Sequence, residues 1–375
     1  MRLEGAVLAA MCFGGLAGRC QAPGTGDTTT TLTVQSSLVL VPAMVKTKSG
    51  ELVFSLKADD FELTDDGVPQ RLRLEEDTDR LPLALVVVVE TGGQGAAHLG
   101  EYAGLDAVLD AVIGDVTHRV AVVSFDSHAR LVQDFNPETE RAAQTLAQLE
   151  EGDGGAAILD GLSFAVDLLR KQPTTYRRAI LLLSETADGG SKTNFDDALK
   201  AIGNTNTSIY SFGFSSTRAA VKHEAAKVPI PNHRTVYSST PYPKDGCMSR
   251  EPGADPDAHG RRSVQALDCA SDLFPPLRIA RLAAIAAREG LKRNVPEAVA
   301  GLTGGEYFPF KDARSLTKQL VTISNDVPNH YVLSFVPQSP HAGLHALQLR
   351  LKDRPELQVK ARAAYWAETA DSTGH

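Results

Sequence analysis

The sequence is poor in the residues that typify nucleic-acid-binding or heavily cross-linked proteins. Aromatic residues make up 6% of its 375 residues, there is one tryptophan, and cysteines number four. Acidic residues outnumber basic ones by 46 to 38, which leaves a net charge of −8. We therefore expect neither a basic surface for a phosphate backbone nor an aromatic surface for base stacking. With 42% hydrophobic residues, the chain has enough material for a large core and for roughly two domains.

The N-terminus has the pattern of an export signal. An apolar run from Ala6 to Leu16 follows Arg2 and is too short to span a bilayer, which takes about 20 residues. We expect residues 1–24 to be a signal peptide and the protein to be periplasmic or secreted, with no membrane span in the mature chain. Arg19 precedes Cys20 where a lipoprotein signal has a small residue, so lipid anchoring is not expected. The alternative is an apolar start without a role in export.

Two cysteines remain outside this signal, Cys247 and Cys269. In an oxidising compartment such an isolated pair predicts a disulfide bond. A zinc site that included His259 would need a fourth ligand, and none is evident at a suitable spacing. Both cysteines lie in an irregular segment, 215–276, which is either a functional insertion with a contact surface of its own or a tolerated surface excursion.

Strand patterns change twice along the chain. Short β-branched runs with turns such as Asp65-Asp66-Gly67 predict an antiparallel β module over 30–80. The continuous apolar run from Leu83 to Val89 predicts a strand buried on both faces of a parallel sheet. Strands and helical patterns then alternate, which predicts a Rossmann-like, doubly wound α/β domain over 81–327. The final segment, 328–367, returns to antiparallel patterns and is expected to pack with the N-terminal module as a small β-sandwich.

Two local predictions are sharper. Leu52-Val53-Phe54 is expected to form a strand of the β module, and a helix is expected from Leu99 to Ile113.

Sequence motifs for catalysis are missing. Residues 189–193, Gly-Gly-Ser-Lys-Thr, follow a strand and precede a helix, but the glycines of a phosphate-binding loop are not at the required positions. Neither a His-Glu-x-x-His motif nor a Gly-x-Ser-x-Gly motif occurs. We therefore expect a protein that is not an enzyme. The alternative is a hydrolase or another envelope enzyme with its site at the domain boundary.

Three phrases resemble a known family. They are residues 56–63 (LKADDFEL) with Asp66-Gly67 after them, residues 302–308 (LTGGEYF), and residues 330–337 (HYVLSFVP). Their order and spacing resemble those of the von Willebrand factor type A-related proteins that are abundant in acidobacteria. The resemblance implies a Rossmann-like type A domain flanked by a small β-sandwich. It also implies a protein that binds other proteins and does not catalyse a reaction.

Type A domains often hold Mg²⁺ at a metal-ion-dependent adhesion site, with the pattern Asp-x-Ser-x-Ser, a later Thr and a later Asp. The positions that match here carry Glu90, Gly92, Gln94, Ala156 and Glu185. Octahedral Mg²⁺ requires six oxygen ligands at short distances, and glycine and alanine offer none from their side chains. We therefore expect a degenerate site and no cofactor. A metal-dependent adhesin with an altered Mg²⁺ or Ca²⁺ site at these positions is the further alternative.

Loops at the carboxyl ends of the parallel strands are where open α/β sheets bind their ligands. We therefore expect an unidentified protein partner to bind there without a metal, through Thr91, Gln94, Asp153, Glu185 and Asp188. The alternative for each loop is a solvated connection with no partner. The sequence as a whole predicts an exported protein that acts in adhesion or as a scaffold.

Overall fold

The computed structural model describes residues 38–75, 81–104, 109–110, 113–114, 116–214, 275–312, 314–316, 318–319, 331–338 and 341–368. All of them belong to one unit that runs from Val34 to His375. The predicted signal peptide and the predicted Cys247–Cys269 disulfide lie outside the described residues. Among the described helices, none combines the length and apolar character that crossing a membrane requires.

The described elements alternate between strands and helices in the middle of the chain and are strands at both ends. The strands are β1 (Val39–Thr47), β2 (Phe61–Asp65), β3 (Val68–Gln70), β4 (Arg73–Leu74), β5 (Leu83–Glu90), β6 (His118–Phe125), β7 (Ala129–Asn136), β8 (Arg177–Glu185), β9 (Thr207–Phe214), β10 (Tyr307–Pro309), β11 (Tyr331–Phe335), β12 (Gly343–Leu351), β13 (Leu357–Ala361) and β14 (Ala364–Ala367). The α-helices are α1 (Thr139–Ala147), α2 (Ile158–Arg170), α3 (Phe195–Gly203), α4 (Pro275–Arg293) and α5 (Val295–Thr303).

A six-stranded sheet in the order β10-β9-β8-β5-β6-β7 forms the centre of the fold. Its neighbouring strands are parallel except for β7, which returns antiparallel to β6. Every residue of β5 is buried, because helices cover both faces of the sheet. Helix α1 packs on one face, and α2, α3 and α5 pack on the other. The predicted doubly wound sheet is thereby confirmed.

The two ends of the chain build two small antiparallel sheets together. Their strand orders are β13-β1-β11-β4 and β14-β12-β2-β3, so each sheet combines N-terminal and C-terminal strands. Alternate residues such as Val41, Leu63 and Phe335 point into a shared core. The predicted packing of the final strands with the N-terminal module is confirmed.

Two local predictions differ from the structure. Leu52 makes only an isolated β-bridge to Lys46. The residues that follow the turn at 48–50 therefore do not form the predicted strand. A helix was predicted from Leu99 to Ile113, but the structure has a 3₁₀ helix over Gly95–Gly104 where that helix was expected to begin. Glycine has a low helix propensity, and the Gly95 amide bonds to the Glu90 side chain, so this segment follows the edge of the sheet.

Arg362 joins the small sheets to the central domain. Its guanidinium donates to the carbonyl oxygens of Leu40 at 3.2 Å and Gly203 at 2.8 Å, and to the side chain of Asn206 at 2.9 Å. Its Nε donates to the Ala364 carbonyl oxygen at 2.8 Å. Burial lowers the pKa of Arg362 to about 10. This buried cation therefore fixes β1 and the β13–β14 turn against the α3–β9 loop.

Candidate functional site

Four loops meet at the carboxyl ends of the parallel strands. We call them the carboxyl-edge cluster: residues 90–95, 126–128, 151–157 and 185–191. Backbone hydrogen bonds connect them, with Gly93 N donating to Asp153 O at 2.9 Å and Gly152 N donating to Thr91 O at 2.8 Å. A two-way bridge between Ala156 and Gly189 attaches the last loop. The loops that the sequence predicted to form a site are thus neighbours in the structure.

Glu90 is turned inward at the end of β5. Its side chain is fully buried, and its two carboxylate oxygens accept hydrogen bonds from backbone amides: Oε1 from Gly95 at 3.2 Å and Oε2 from Glu185 at 2.7 Å. Glu185 is also buried. Burial raises the pKa of the Tyr102 hydroxyl, and the charge of Glu90 raises it further. Glu90 therefore ties β5 to β8 across the edge of the sheet.

Gly92 lies where backbone from two loops comes too close for any side chain. A Cβ atom there would lie 2.2 Å from the Gly155 carbonyl oxygen, 2.6 Å from that of Asp153 and 2.8 Å from the Asp126 Cβ. The serine that a metal-ion-dependent adhesion site has at this position would not fit. Ala156 is buried and carries no side-chain oxygen. Gly92 and Ala156 therefore offer no side-chain oxygen of the kind that Mg²⁺ requires.

Asp126, directly after β6, anchors the loops. Its Oδ1 accepts from His128 N at 2.9 Å, and its Oδ2 accepts from Arg130 at 2.7 Å and from Asp153 N at 3.3 Å. Burial alone would raise the pKa of Asp126, but these hydrogen bonds, first that of Arg130, outweigh it and hold the pKa below its usual value. An internal guanidinium thus supplies the positive charge next to the buried carboxylate.

Asp153 is exposed and shapes its own loop. Its Oδ1 accepts from Gly155 N at 2.8 Å, from Ser127 Oγ at 2.9 Å and from Ser127 N at 3.0 Å. These hydrogen bonds, that of the Gly155 amide first, lower the pKa of Asp153. The carboxylate is therefore ionised at neutral pH and faces solvent.

The loop after β8 is held by carboxylates as well. Asp188 Oδ1 accepts from the Leu159 amide at 3.2 Å and from Ser191 Oγ at 2.5 Å. Asp160 accepts the backbone amides of Lys192 at 2.9 Å and Thr193 at 2.8 Å. The glycine-rich segment 189–193 is thus fixed by the first turn of α2, through the Asp160 side chain and the Leu159 amide.

The predicted site residues differ in exposure. Gln94 and Asp153 are exposed, Asp188 is partly exposed, and Thr91 and Glu185 are buried. The sequence analysis missed Asp126 and its partner Arg130. The signal was available, since an aspartate directly after a buried strand lies at the same edge as Glu90.

The boundary between the central sheet and the small sheets contains a cavity of about 270 Å³. It is lined by apolar side chains together with Tyr176, Arg177, Arg178, Asn206 and Tyr210. The described residues that line it include no carboxylate and no histidine. An acid–base pair of the kind that hydrolases use is therefore not found among them.

An open doubly wound sheet with a loop cluster at its carboxyl edge is the architecture of a type A domain. Residues 103–190 match the family profile of the von Willebrand factor type A domain, and this region includes Asp126, Asp153 and Glu185. This region of the chain is thus similar to a domain of this type. No curated protein matches the sequence.

Solved structures with similar regions include those of three bacterial proteins. BatB from Bacteroides thetaiotaomicron is 15% identical over 35% of this chain and 66% of its own, with a TM-score of 0.29. The von Willebrand factor domain of the type V pili tip protein Mfa5 from Porphyromonas gingivalis is 22% identical over 29% and 39%, with a TM-score of 0.24. An aerotolerance-related membrane protein from Bacteroides fragilis is 15% identical over 65% and 98%, with a TM-score of 0.33. The chain thus spans less than two thirds of BatB and of the Mfa5 domain.

Proposed function

We propose that this protein is an exported, non-catalytic binding protein, an adhesin or scaffold, whose carboxyl-edge cluster contacts a protein partner without a metal ion. The packing at Gly92 carries the proposal. Backbone oxygens of Gly155 and Asp153 occupy the space that a serine ligand would need. Asp126 of the cluster forms an ion pair at 2.7 Å with Arg130 of β7 and accepts from the Asp153 amide, so the chain's own groups satisfy this carboxylate.

The exposed residues of the cluster define the chemistry of the partner. Glu151 and Asp153 are exposed on one loop, with exposed Glu150 directly before it, and Gln94 is exposed on the neighbouring loop. The Asp153 carboxylate is ionised at neutral pH because its pKa is lowered by hydrogen bonds. An acidic rim of this kind favours a partner surface that carries lysine or arginine side chains. Thr91 and Glu185, which are buried, support this rim from below.

Charge reversal on the rim tests the proposal. The variant Gln94→Arg/Glu151→Arg changes two exposed side chains of the cluster. The matched control, Glu356→Arg/Gln358→Arg, makes the same change in charge at two exposed residues of the small sheets. Capture of envelope proteins by chemical cross-linking, followed by mass spectrometry, identifies the partner and the residues it touches.

We expect cross-links to the loops 90–95 and 151–157, the same capture with and without added Mg²⁺, and loss of capture in the rim variant only. Equal loss in both variants would mean that net charge alone controls binding. Capture that required Mg²⁺ would contradict the proposal and favour an altered metal site. Hydrolysis of an envelope substrate by the pure protein would contradict its non-catalytic part.

Several finer parts of the account stay predictions. These are the closer likeness to the acidobacterial type of protein, the signal peptide over 1–24, the disulfide between Cys247 and Cys269, and a role for the segment 215–276. Cleavage after export is measured by N-terminal sequencing of the mature protein. Limited proteolysis under reducing and oxidising conditions tests the disulfide, since identical cutting would count against it.

A further inference from the structure

A second cluster of charged side chains is buried in the small sheets, far along the chain from the carboxyl-edge cluster. Asp65 ends β2 and Asp66 begins the turn to β3, with relative exposures of 4% and 3%. His345 of β12 is 1% exposed, and the His341 ring stacks on it with a centroid distance of 3.9 Å. Tyr365 of β14 stacks on the other face of His345 at 4.6 Å.

All four ring nitrogens of the two histidines face oxygen atoms. His345 Nε2 lies 2.8 Å from the His341 carbonyl oxygen, and His341 Nδ1 lies 3.1 Å from that of Ala342. His345 Nδ1 lies 2.9 Å from Asp66 Oδ2, and His341 Nε2 lies 2.9 Å from the same oxygen. Carbonyl and carboxylate oxygens only accept, whereas a neutral imidazole has one N–H group.

A neutral ring in this arrangement directs one nitrogen lone pair at an acceptor, whereas a protonated ring donates from both nitrogens. When Nε2 of His345 and Nδ1 of His341 donate to the carbonyl oxygens, the two remaining nitrogens both lie 2.9 Å from Asp66 Oδ2. Three lone pairs so close together repel one another unless a cation lies between them. Within the described part of the chain, Asp65 and Asp66 form ion pairs only with these histidines.

We propose that Asp66, His341 and His345 bind a divalent transition-metal ion of the zinc type. Their three donor atoms lie within 4.8 Å of one another, and the two nitrogen–oxygen distances are 2.9 Å. Ligand atoms of tetrahedral zinc are about 3.3 Å apart, so binding moves the donor atoms apart slightly and turns the two rings out of their nearly parallel stack. The fourth position falls to a water on the side of the partly exposed His341, while Asp65 Oδ1 lies 3.0 Å from His345 Nδ1 as an acidic neighbour.

The outer hydrogen bonds have the arrangement that orients metal ligands. A ligating histidine donates its other N–H to a carbonyl oxygen, and a ligating carboxylate accepts a hydrogen bond on its second oxygen. Both histidines have such a carbonyl partner. The second oxygen of Asp66 accepts from Ala346 N at 2.8 Å, and the second oxygen of Asp65 accepts from the Tyr365 hydroxyl at 2.8 Å. The site is thus fixed in place by β12 and β14.

Calorimetric titration of the full chain with Zn²⁺ tests this site, after chelator treatment and with all thiols blocked so that cysteines do not compete. We expect one tight site in the wild-type protein and binding at least about 100-fold weaker in His341→Ala, which removes a ligand on the partly exposed side. The matched control is His128→Ala, because His128 lies near the carboxylates of Asp126 and Asp153, the other place where a cation could bind.

Co²⁺ gives an independent readout on the wild-type protein. Tetrahedral coordination by nitrogen and oxygen produces intense visible absorption, which Zn²⁺ displaces. The proposal is overturned if Co²⁺ produces no such absorption, or if Zn²⁺ binding is equal in wild type and His341→Ala. Loss of binding in His128→Ala alone would also overturn it and move the metal to the carboxyl edge. Absence of Zn²⁺ binding in the wild-type protein would overturn it as well.

Discussion

Placing a serine at Gly92 tests whether the carboxyl-edge cluster lacks space for a side chain at this position. The Cβ of Gly92→Ser would lie 2.2 Å and 2.6 Å from the carbonyl oxygens of Gly155 and Asp153. Both are backbone atoms, so no side-chain rotation relieves the contact and a whole loop must move. Overpacking costs about 1–3 kcal/mol. We expect the upper end, about 3 kcal/mol, which lowers the urea midpoint by about 1 M.

Gly154→Ser is the matched control, because a Cβ at Gly154 meets nothing within 4 Å. We expect its free energy of unfolding to stay within about 0.5 kcal/mol of wild type. Urea denaturation of both variants by circular dichroism gives the comparison, and calorimetry with Mg²⁺ follows for Gly92→Ser. The reasoning is refuted if Gly92→Ser is as stable as Gly154→Ser, and most clearly if it also gains Mg²⁺ binding.

Three further predictions concern buried charges. Asp126→Ala should lower the free energy of unfolding by about 2–4 kcal/mol because it leaves two backbone amides without their acceptor. Arg130→Ala should lower it by less than about 1 kcal/mol because the Arg130 side chain is 54% exposed; equal losses in urea denaturation would contradict this. Since the pKa of Asp126 lies below its usual value of about 3.9, its contribution is complete above that pH and disappears as the pH falls through the lower, folded-state pKa. The stability difference between wild type and Asp126→Asn should therefore shrink below about pH 4, and a difference that grew there would be inconsistent with the lowered pKa. Arg362→Met should lower the free energy of unfolding by about 2–4 kcal/mol, because it leaves the carbonyl oxygens that the guanidinium binds without a donor. The control Arg350→Met, at an exposed arginine, should change the thermal midpoint little. Similar midpoints for the two variants would contradict the role of Arg362 in joining the small sheets to the central domain.

Local patterns were sufficient to predict the central fold. The apolar run from Leu83 to Val89 has the length of a strand and predicts one that is buried on both faces. In the structure it forms β5, in which every residue is buried. The alternation of strands and helices then determines the doubly wound order. The structure of the segment Leu52–Phe54 was harder to predict, because a short apolar run forms a strand only where a partner strand is available.

The candidate site was predictable in its position but not in its packing. Sequence alone indicates that Gly92 and Ala156 lack side-chain oxygens. It does not indicate that the backbone of Gly155 fills the space beside Gly92, since that approach depends on how two loops far apart in sequence close together. The contact between Asp65 and His345, which spans 280 positions, is set by the pairing of β2 with β12 and by no local motif.

The central claim is that the acidic rim binds a protein partner without Mg²⁺. The most direct test is cross-linking capture with wild type and Gln94→Arg/Glu151→Arg, each with and without added Mg²⁺. The variant His341→Ala is measured in parallel, because it changes the proposed zinc site and leaves the rim intact. Its capture therefore distinguishes loss of the zinc site from loss of the rim. The account predicts equal capture by wild type and His341→Ala in both buffers and loss of capture in the rim variant. Capture that appears only with Mg²⁺, or that survives in the rim variant, would contradict it.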